Sequence, residues 1–251
     1  MSGCVLATTE WGPMLVPVFD EYVGRSLLVD GIYSNEEWRG WVPYLSYGSH
    51  VVEVGTQCGA FTLAFARAVG HRGTVTGFEA QRGMAQMANG TLALNGQWQA
   101  EVRNVAVGAS TGVIQMERRD YLRPGNYGGI AGVDEGHGDA VKMTTLDHEA
   151  MVRCDFLKID VEGAEFAVLV GGKQMIRRCR PVICAEADRP DLNGKVFQWL
   201  RQLGYTLYWQ TPKLGAAHPD ISVVNVLAVM EEHPRPAGCQ PVGIGDVWPV
   251  K

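Results

Sequence analysis

The sequence predicts a doubly wound α/β fold, in which a mostly parallel β-sheet carries helices on both faces. From His50 onwards, short β-branched or apolar runs alternate with longer stretches of helical character, as in βαβ units. The first run, at residues 51–54, leads through a glycine-containing turn into an apolar helical stretch at residues 61–69. Glycines at such a turn allow the chain to change direction sharply between strand and helix.

The same alternation continues along the chain. Further strands are predicted at residues 74–79, 100–107, 141–146, 156–160, 181–186, 205–210 and 223–230, and further helices at residues 84–94, 164–170 and 196–203. The helix at 164–170 is followed by Gly171 and Gly172, and glycine is the residue that most often ends a helix.

Three regions flank or interrupt this pattern. Residues 1–48 predict a helical and irregular N-terminal extension, residues 49–233 the main domain, and residues 234–251 a Pro- and Gly-rich tail. Within the domain, residues 108–140 are rich in glycine and charge and predict an irregular, lid-like insertion. Long irregular stretches inside compact domains usually have a function, so we expect this one to help form the ligand site.

Composition excludes several classes of protein. The chain has 251 residues, of which 46% are hydrophobic and 20% charged, which excludes intrinsic disorder. A net charge of −5 argues against a nucleic-acid partner, because such proteins usually present a basic face. No apolar run approaches the ~20 residues of a membrane span, and residues 1–13 lack the features of a secretory signal. We therefore expect a cytoplasmic protein, and the sequence leaves homo-oligomer formation open.

The strongest functional signal is the pattern E-x-G-x-x-x-G at residues 53–59, between a predicted strand and a helix. Glycines there let the backbone approach a ligand closely. A dinucleotide site would have G-x-G-x-x-G instead, and position 57 is Gln. Glu79 ends the next predicted strand about 20 residues after Gly59, where doubly wound sheets place the acidic residue that binds ribose hydroxyls.

A second signal is the segment K-I-D-V-E-G-A-E at residues 158–165. Asp160 falls at the carboxyl end of a predicted central strand, where open α/β sheets bind ligands. Lys158 lies inside an apolar strand and needs a partner, because an unpaired buried cation is costly. Glu165 begins a helix, whose dipole stabilises a carboxylate there. A purely structural ion pair for Lys158 and a simple cap for Glu165 are alternatives.

Together these segments resemble the FkbM family of class I S-adenosylmethionine-dependent methyltransferases. The resemblance covers residues 45–230 and rests on E-V-G-x-x-x-G, F-E-A-Q-R, L-x-L-N, L-K-I-D-V-E-G-A-E and R-P-V-I-C-A-E, in this order. It implies a Rossmann-like sheet of seven strands with the last one antiparallel. The implied activity is O-methylation of a hydroxyl on a sugar, a glycolipid or a secondary metabolite. The first loop reads G-T-Q-C-G where the family often has G-A-N-x-G.

The resemblance also implies which residues bind S-adenosyl-L-methionine and the acceptor. The loop at 53–59 would lie along its methionine and ribose parts, Glu79 would bind the ribose, and residues 104–106 would border the adenine. The full set expected to bind this cofactor is Glu53, Gly55, Thr56, Gly59, Phe61, Glu79, Ala80, Asn104, Val105, Ala106 and Asp160. The small-molecule or glycan acceptor is expected to contact Asn126, Tyr127 and Glu162.

Catalysis on a hydroxyl requires a base or a group that acidifies the hydroxyl. Asp160 and Glu186 end strands expected to be neighbours, so both carboxylates are candidate catalytic residues. With Glu162 nearby, they could hold Mg²⁺, which prefers oxygen ligands. Alternatively, Asp160 contacts the cofactor and Glu186 makes a structural hydrogen bond. His137, in the insertion, is another candidate base because imidazole titrates near neutral pH.

Two other functions remain open at this point. One is N-methylation of a peptide or a base, which the acidic balance and the lack of an N/D-P-P-Y signature disfavour. The other is a non-catalytic binding subunit with a methyltransferase fold. The intact glycine loop, Glu79 and Asp160 argue against it.

The ribose assignment makes the first testable prediction. Glu79→Ala should weaken cofactor binding by roughly 1.5–3 kcal/mol, the usual contribution of a hydrogen bond to a charged group. Calorimetric titration measures the affinity, and a melting curve confirms that the variant is folded. Unchanged affinity in the folded variant would refute the assignment.

Overall fold

A computed structural model describes residues 3–129, 132–133 and 138–249. In chain order its strands are β1 (Cys4–Thr9), β2 (Gly12–Pro17), β3 (His50–Val54), β4 (Thr74–Phe78), β5 (Ala100–Arg103), β6 (Ala106–Val107), β7 (Gly112–Glu117), β8 (Gly132–Val133), β9 (Gly138–Thr144), β10 (Phe156–Ile159), β11 (Val182–Glu186), β12 (Thr206–Gln210), β13 (Lys213–Gly215), β14 (His218–Ser222), β15 (Asn225–Val229) and β16 (Gln240–Pro241).

The described residues form seven α-helices. They are α1 (Val23–Val29), α2 (Asn35–Trp41), α3 (Ala60–Val69), α4 (Arg82–Leu94), α5 (Glu165–Gly171), α6 (Lys173–Cys179) and α7 (Pro190–Gln202), with 3₁₀ turns at Val42–Tyr44 and Gly70–Arg72. None of these helices is long and apolar enough to cross a membrane.

The central sheet has eight strands in the order β16-β12-β15-β11-β10-β3-β4-β5. Strands β11, β10, β3, β4 and β5 are mutually parallel, and β15 runs antiparallel to both β11 and β12. The mostly parallel sheet with an antiparallel late strand is therefore present. The expected count of seven strands is wrong, because the two-residue strand β16 pairs with the edge strand β12. So short a pair has no periodic pattern that sequence reasoning could detect.

Helices cover both faces of this sheet, as expected. Neighbouring residues of a strand belong to two separate apolar clusters: Val51 and Phe156 pack with α3 and α4, whereas Val52 and Leu157 pack with α5, α6 and α7. This alternation follows from the two-residue period of a strand. The sheet thus lies between two cores.

The N-terminal extension differs from the expectation of a helical and irregular segment. Residues 4–17 form the antiparallel hairpin β1-β2, and helices begin only at Val23. The hairpin is stabilised by packing on α4, where Met14 and Val16 are fully buried and the Leu15 amide donates to the Thr91 hydroxyl at 3.0 Å. Because these contacts are made with residues far along the chain, the local sequence did not reveal the strand.

The insertion at 108–140 is also more regular than expected. Strand β7 pairs antiparallel with β9 and β8, and β6 pairs with β9, giving a second sheet of four strands. Residues 100–107 are accordingly two strands in different sheets rather than one. Ile114 and Met116 alternate with polar or exposed neighbours and pack toward this small sheet's core. The glycines and charges around them hid this alternation.

Trp41 at the end of α2 attaches the N-terminal extension to the core. It is fully buried, and its ring lies 4.7 Å from Phe61, 5.8 Å from Phe65 and 5.9 Å from Phe156, measured between ring centroids. Its indole Nε1 donates to Gln210 Oε1 at 3.0 Å. Helix α2 is therefore fixed against both α3 and the central sheet.

Trp41→Ala should lower the free energy of unfolding by about 3–5 kcal/mol, since it removes a large buried ring. Trp98→Ala is the matched control, because Trp98 is 81% exposed and its loss should change the free energy by less than about 0.5 kcal/mol. Urea unfolding measures both. Equal effects of the two substitutions would show that α2 is not part of the cooperative core.

Candidate active site

A cavity of about 600 Å³ lies at the carboxyl ends of β3, β4, β10 and β11. Its volume is in the range of small-molecule sites, and its place is where open α/β sheets bind ligands. Of the residues expected to bind cofactor, it is lined by Glu53, Gly55, Thr56, Phe61, Glu79, Ala80, Val105, Ala106 and Asp160. Gly59 and Asn104 are not among the lining residues.

The glycine loop after β3 is shaped by close backbone contacts. Gly55 has φ +85°, and a Cβ atom there would lie 1.8 Å from the carbonyl oxygen of Asp160. Only glycine allows the ends of β3 and β10 to approach this closely. Gly59 has φ +88°, and its Cβ would lie 2.8 Å from the Cβ of Ala88, so its role is packing of α3 against α4.

Glu79 sits at the end of β4 and is 6% exposed. Its carboxylate accepts two backbone hydrogen bonds, from Gln57 N at 2.8 Å and from Gln81 N at 2.8 Å. Burial raises the pKa of Glu79 to about 7, although both hydrogen bonds favour the charged form. Each carboxylate oxygen can accept a second hydrogen bond. The group is therefore fixed in place and retains capacity to bind a hydroxyl-bearing ligand.

The cavity is apolar beside Glu79. Phe78, Val105 and Ala106 line it from the central domain, and Ile114 and Met116 from β7. The two β7 residues were missed in the sequence, where only the alternation of apolar residues at 112–117 could have indicated them. Asn104 shapes this end from outside, since its side-chain amide donates to the carbonyl oxygens of Glu79 and Ala80, each at 2.9 Å.

A buried group of charges lies under the cavity. Lys158 Nζ is 3.0 Å from Asp160 Oδ2, and the Lys158 side chain is only 4% exposed. Burial alone would lower the pKa of Lys158, but the carboxylates of Asp160, Glu53 and Glu37 outweigh burial and raise it. Burial raises the pKa of Glu53 and of Glu37 to about 7 each. Lys158 was expected to need a partner, and Asp160 is that partner.

Glu37 is a lining residue that sequence reasoning missed. It is 4% exposed and its Oε1 accepts a hydrogen bond from Asn225 Nδ2 at 2.7 Å. It lies four residues before the buried Trp41, on the same face of α2. That spacing is the signal that could have shown it to face the core.

The opposite end of the cavity carries Glu162, Glu186 and Asp188. Arg189 is 2.6 Å from Glu162, 3.4 Å from Asp188 and 3.8 Å from Glu186. Glu186 Oε2 is buried and has no hydrogen-bond partner within the described part of the chain. Burial, and then the nearby charges of Asp160 and Asp188, raise the pKa of Glu186 far above its usual range. Burial and these charges therefore favour the protonated form of Glu186.

The expected cation site is not supported by this arrangement. Asp160 and Glu186 do line one cavity, but Asp160 is paired with Lys158 and Glu162 with Arg189. Among residues 3–129 and 138–249, no group of three or more His, Cys, Asp or Glu side chains has the arrangement of a metal site. Two of the three carboxylates expected to hold Mg²⁺ thus already have a cationic side chain as partner.

Of the other expected residues, Asn126 lines the cavity and Tyr127 does not. Tyr127 is fully buried, and its hydroxyl donates to the carbonyl oxygen of Arg123 at 2.7 Å. Its ring packs edge-on against Tyr121 at 5.3 Å. Tyr127 therefore shapes the loop that presents Asn126. His137 lies outside the described residues.

Further lining residues come from segments on which the sequence offered no hypothesis. Tyr22 and Tyr33 belong to the N-terminal extension, and Leu214 and Ile221 to the hairpin β13-β14. These segments supply part of the wall of the cavity. No periodic or motif signal distinguished them.

Comparison with known proteins agrees with this geometry. Residues 53–207 match the family described as the methyltransferase FkbM domain, over more than half of the chain. No curated protein matches the sequence.

Solved structures with a similar fold are methyltransferases. Methyltransferase FkbM from Methylobacillus flagellatus KT has a TM-score of 0.55 at 16% identity, over 72% of this chain and 44% of that one. The chain thus spans less than half of that protein. A SAM-dependent methyltransferase from Aquifex aeolicus has a TM-score of 0.44 at 15% identity, over 78% and 89% of the two chains. A precorrin-6y C5,15-methyltransferase from Geobacter metallireducens GS-15 has a TM-score of 0.49 at 12% identity, over 78% and 87%.

The first of these supports the fold of the central sheet and its helices. The family match covers the glycine loop, Glu79, the segment of Lys158 and Asp160, and the strands from the end of β3 to β11, which supply much of the lining of the cavity. On this match, the chain belongs to the FkbM methyltransferase family.

Proposed function

We propose that the protein transfers the methyl group of S-adenosyl-L-methionine to a hydroxyl of a sugar, a glycolipid or a secondary metabolite. The observation that carries this proposal is the continuity of one cavity. It joins the fixed carboxylate of Glu79 to the carboxyl groups of Asp160 and Glu186. A nucleoside at the first end and an acceptor at the second would meet above the glycine loop.

The chain's residues fit this cofactor in size and chemistry. The cavity of about 600 Å³ holds a carboxylate for ribose hydroxyls at Glu79 and an apolar wall for adenine at Val105, Ala106 and Ile114. The tight turn at Gly55 brings the backbone of the glycine loop to the wall of the cavity, beside which the polar remainder of the cofactor would lie. When bound, S-adenosyl-L-methionine supplies a methyl group already activated by the positive charge on its sulfur.

Asp160 is the residue best placed to orient the acceptor and remove its proton. Its side chain is 40% exposed, and the ion pair with Lys158 engages Oδ2 at 3.0 Å. A carboxylate held in this way can accept a hydrogen bond from a hydroxyl and take its proton during transfer. Alignment of the hydroxyl contributes up to about 7–11 kcal/mol in well-oriented reactions.

Glu186 complements Asp160 at the acceptor end. Because its raised pKa keeps it protonated at neutral pH, Glu186 can donate a hydrogen bond to an acceptor oxygen. A donor and an acceptor from adjacent strands, β11 and β10, suit the paired hydroxyls of a sugar. The acidic groups around Arg189 disfavour acceptors that carry a phosphate or carboxylate near the reacting atom.

One observation favours a second candidate, N-methylation of an amine. Glu186 Oε2, which accepts no hydrogen bond from the described residues and has Asp188 and Glu162 close by, could also receive a protonated amine. We rank this second, because nitrogen must lose its proton before transfer and an acid-rich pocket opposes that loss. The location in the cytoplasm and the domain boundaries stay predictions from the sequence.

A matched set of acceptors tests the reaction class. The protein is incubated with methyl-labelled S-adenosyl-L-methionine and three sugars that share one ring: the neutral glycoside, its amino-sugar analogue and its uronic acid. We expect label on oxygen in the first and little in the third. Label on nitrogen alone would establish the second candidate. Binding of S-adenosylhomocysteine without transfer to any hydroxyl or amine would indicate a binding subunit.

Asp160→Asn should lower kcat by about 10²–10⁴-fold, the range for loss of a general base. The affinity for S-adenosylhomocysteine should change much less. Asp188→Asn is the matched control, because Asp188 lines the same end of the cavity with a 44% exposed side chain but is not paired with Lys158. Similar losses in both variants would show that the charge of the pocket, and not a base at Asp160, matters.

Glu186→Gln should make stability less dependent on pH. The folded protein holds the Glu186 proton at pH values where the unfolded chain has lost it, so wild-type stability falls as pH rises from the usual carboxyl range toward the raised pKa. Urea unfolding at about pH 6 and pH 9 measures this slope. At the higher pH, the free energy of unfolding of Glu186→Gln should rise relative to that of the wild type. Glu10→Gln, on an exposed turn, should show the same pH dependence of stability as the wild type. Parallel slopes in all three proteins would show that Glu186 is ionised.

A further inference from the structure

Asp20 is a buried carboxylate that lies outside the matched domain and does not line the cavity. It is 2% exposed and accepts four hydrogen bonds. Oδ2 receives the Gly24 amide at 2.7 Å and Gln57 Nε2 at 2.9 Å, whereas Oδ1 receives the amides of Tyr127 at 3.1 Å and Tyr22 at 3.5 Å. The donors come from three separate segments of the chain.

The first connection leads from Asp20 to Glu79 through Gln57. The side chain of Gln57 donates to Asp20 and accepts a hydrogen bond from the Cys58 amide. Its backbone amide donates to Glu79 Oε2 at 2.8 Å. Gln57 has φ +50°, in the left-handed region that a glutamine adopts only at a cost. The nitrogen and the oxygen of its side-chain amide therefore both help to hold the glycine loop in this conformation.

The second connection reaches the other oxygen of Glu79. Tyr127, bound to Asp20 through its amide, accepts at its carbonyl oxygen a hydrogen bond from Gln81 Nε2 at 2.7 Å. The backbone amide of Gln81 donates to Glu79 Oε1 at 2.8 Å. The segment that contains Asp20 and the segment that contains Tyr127 are also joined by a backbone hydrogen bond. Glu21 N donates to the carbonyl oxygen of Gly125 at 3.0 Å.

We propose that Asp20 is a positioning residue that sets the affinity for the nucleoside of the cofactor by holding Glu79 from both sides. Asp20, Gln57, Glu79, Gln81 and Tyr127 form a closed ring of hydrogen bonds, called here the Asp20 ring. The proposal rests on the cofactor site proposed above. On this proposal, the N-terminal extension and the insertion both help to form the cofactor site, although Asp20 does not line the cavity.

The number of oxygen atoms explains why the ring requires a carboxylate. Each oxygen of Asp20 serves one connection, Oδ2 toward Gln57 and Oδ1 toward Tyr127. An asparagine has one oxygen and one NH₂ group, and the NH₂ group cannot accept a hydrogen bond. Asp20→Asn therefore breaks one connection in either orientation of its amide, with almost no change in volume.

Hydrogen exchange of the ligand-free protein tests the ring itself. Asp20→Asn should speed exchange at residues 56–58, 79–82 and 125–128. Asp147→Asn is the matched control, because Asp147 also accepts two backbone amides, from Gln174 at 3.0 Å and Met175 at 2.8 Å, and does not line the cavity. This control should leave those three segments unchanged. Faster exchange confined to residues 18–26 in Asp20→Asn would overturn the proposal.

Calorimetry with S-adenosylhomocysteine tests the consequence for the ligand. Asp20→Asn should weaken binding by about tenfold, as expected for the loss of one hydrogen bond to a charged group. The KM for the acceptor and the kcat at saturating cofactor should stay near wild type. Asp147→Asn should bind as the wild type does. Unchanged affinity in a folded Asp20→Asn variant would overturn the positioning role.

A double-mutant cycle separates positioning from general destabilisation. Gln57→Leu removes the first connection without touching the backbone amide that binds Glu79, and it also serves if Asp20→Asn does not fold. The ring is supported if the double variant loses less binding free energy than the sum of the losses in the two single variants. Full additivity of the two losses contradicts it. If the wild type itself does not bind S-adenosylhomocysteine, the proposed function and the affinity claim both fail. The exchange result would then still decide whether the ring exists.

Discussion

Lys158 imposes the constraint on which the centre of this protein depends. A lysine that is 4% exposed in the middle of a sheet keeps its charge only with partners, because loss of hydration costs several kcal/mol. Asp160 lies two residues on, and Glu53 is directly opposite on β3. Glu37, on α2, is the third carboxylate that stabilises the charge of Lys158. The buried cation thus holds the carboxylate at the end of β10 in place and also attracts a carboxylate from the N-terminal extension.

The cavity beside the Lys158–Asp160 ion pair has two chemically different ends, because different strands form each end. Toward β4, a carboxylate held by backbone amides stands beside apolar side chains. Toward β11, several carboxyl groups share Arg189, and burial together with mutual repulsion raises the pKa of Glu186. A ligand with a nucleoside at one end and an acceptor at the other, as proposed, would be oriented by this difference.

The site extends beyond the segment that defines the family. The match begins at residue 53, yet Glu37, Tyr33 and Tyr22 line the cavity, and Asp20 holds Gln57 from behind. The insertion contributes the buried Tyr127 and, through β7, part of the apolar wall. The N-terminal extension and the insertion therefore supply part of the lining of the cavity, in addition to the matched segment.

The sequence by itself determined the central-sheet strands β3, β4, β5, β10, β11, β12 and β15 and the helices α3, α4, α5 and α7, and with them the positions of Gly55, Glu79 and Asp160. Parallel βαβ winding brings the carboxyl ends of these strands to one edge, so local pattern was enough to place their residues together. Only the tertiary structure decided that Asp20 and Glu37 are buried at this edge. It also decided that Tyr127 faces the core and that Glu162 pairs with Arg189. Each of these arrangements joins segments far apart in the chain, and its free energy comes from shared burial and hydrogen bonding, which leave no periodic trace in either segment.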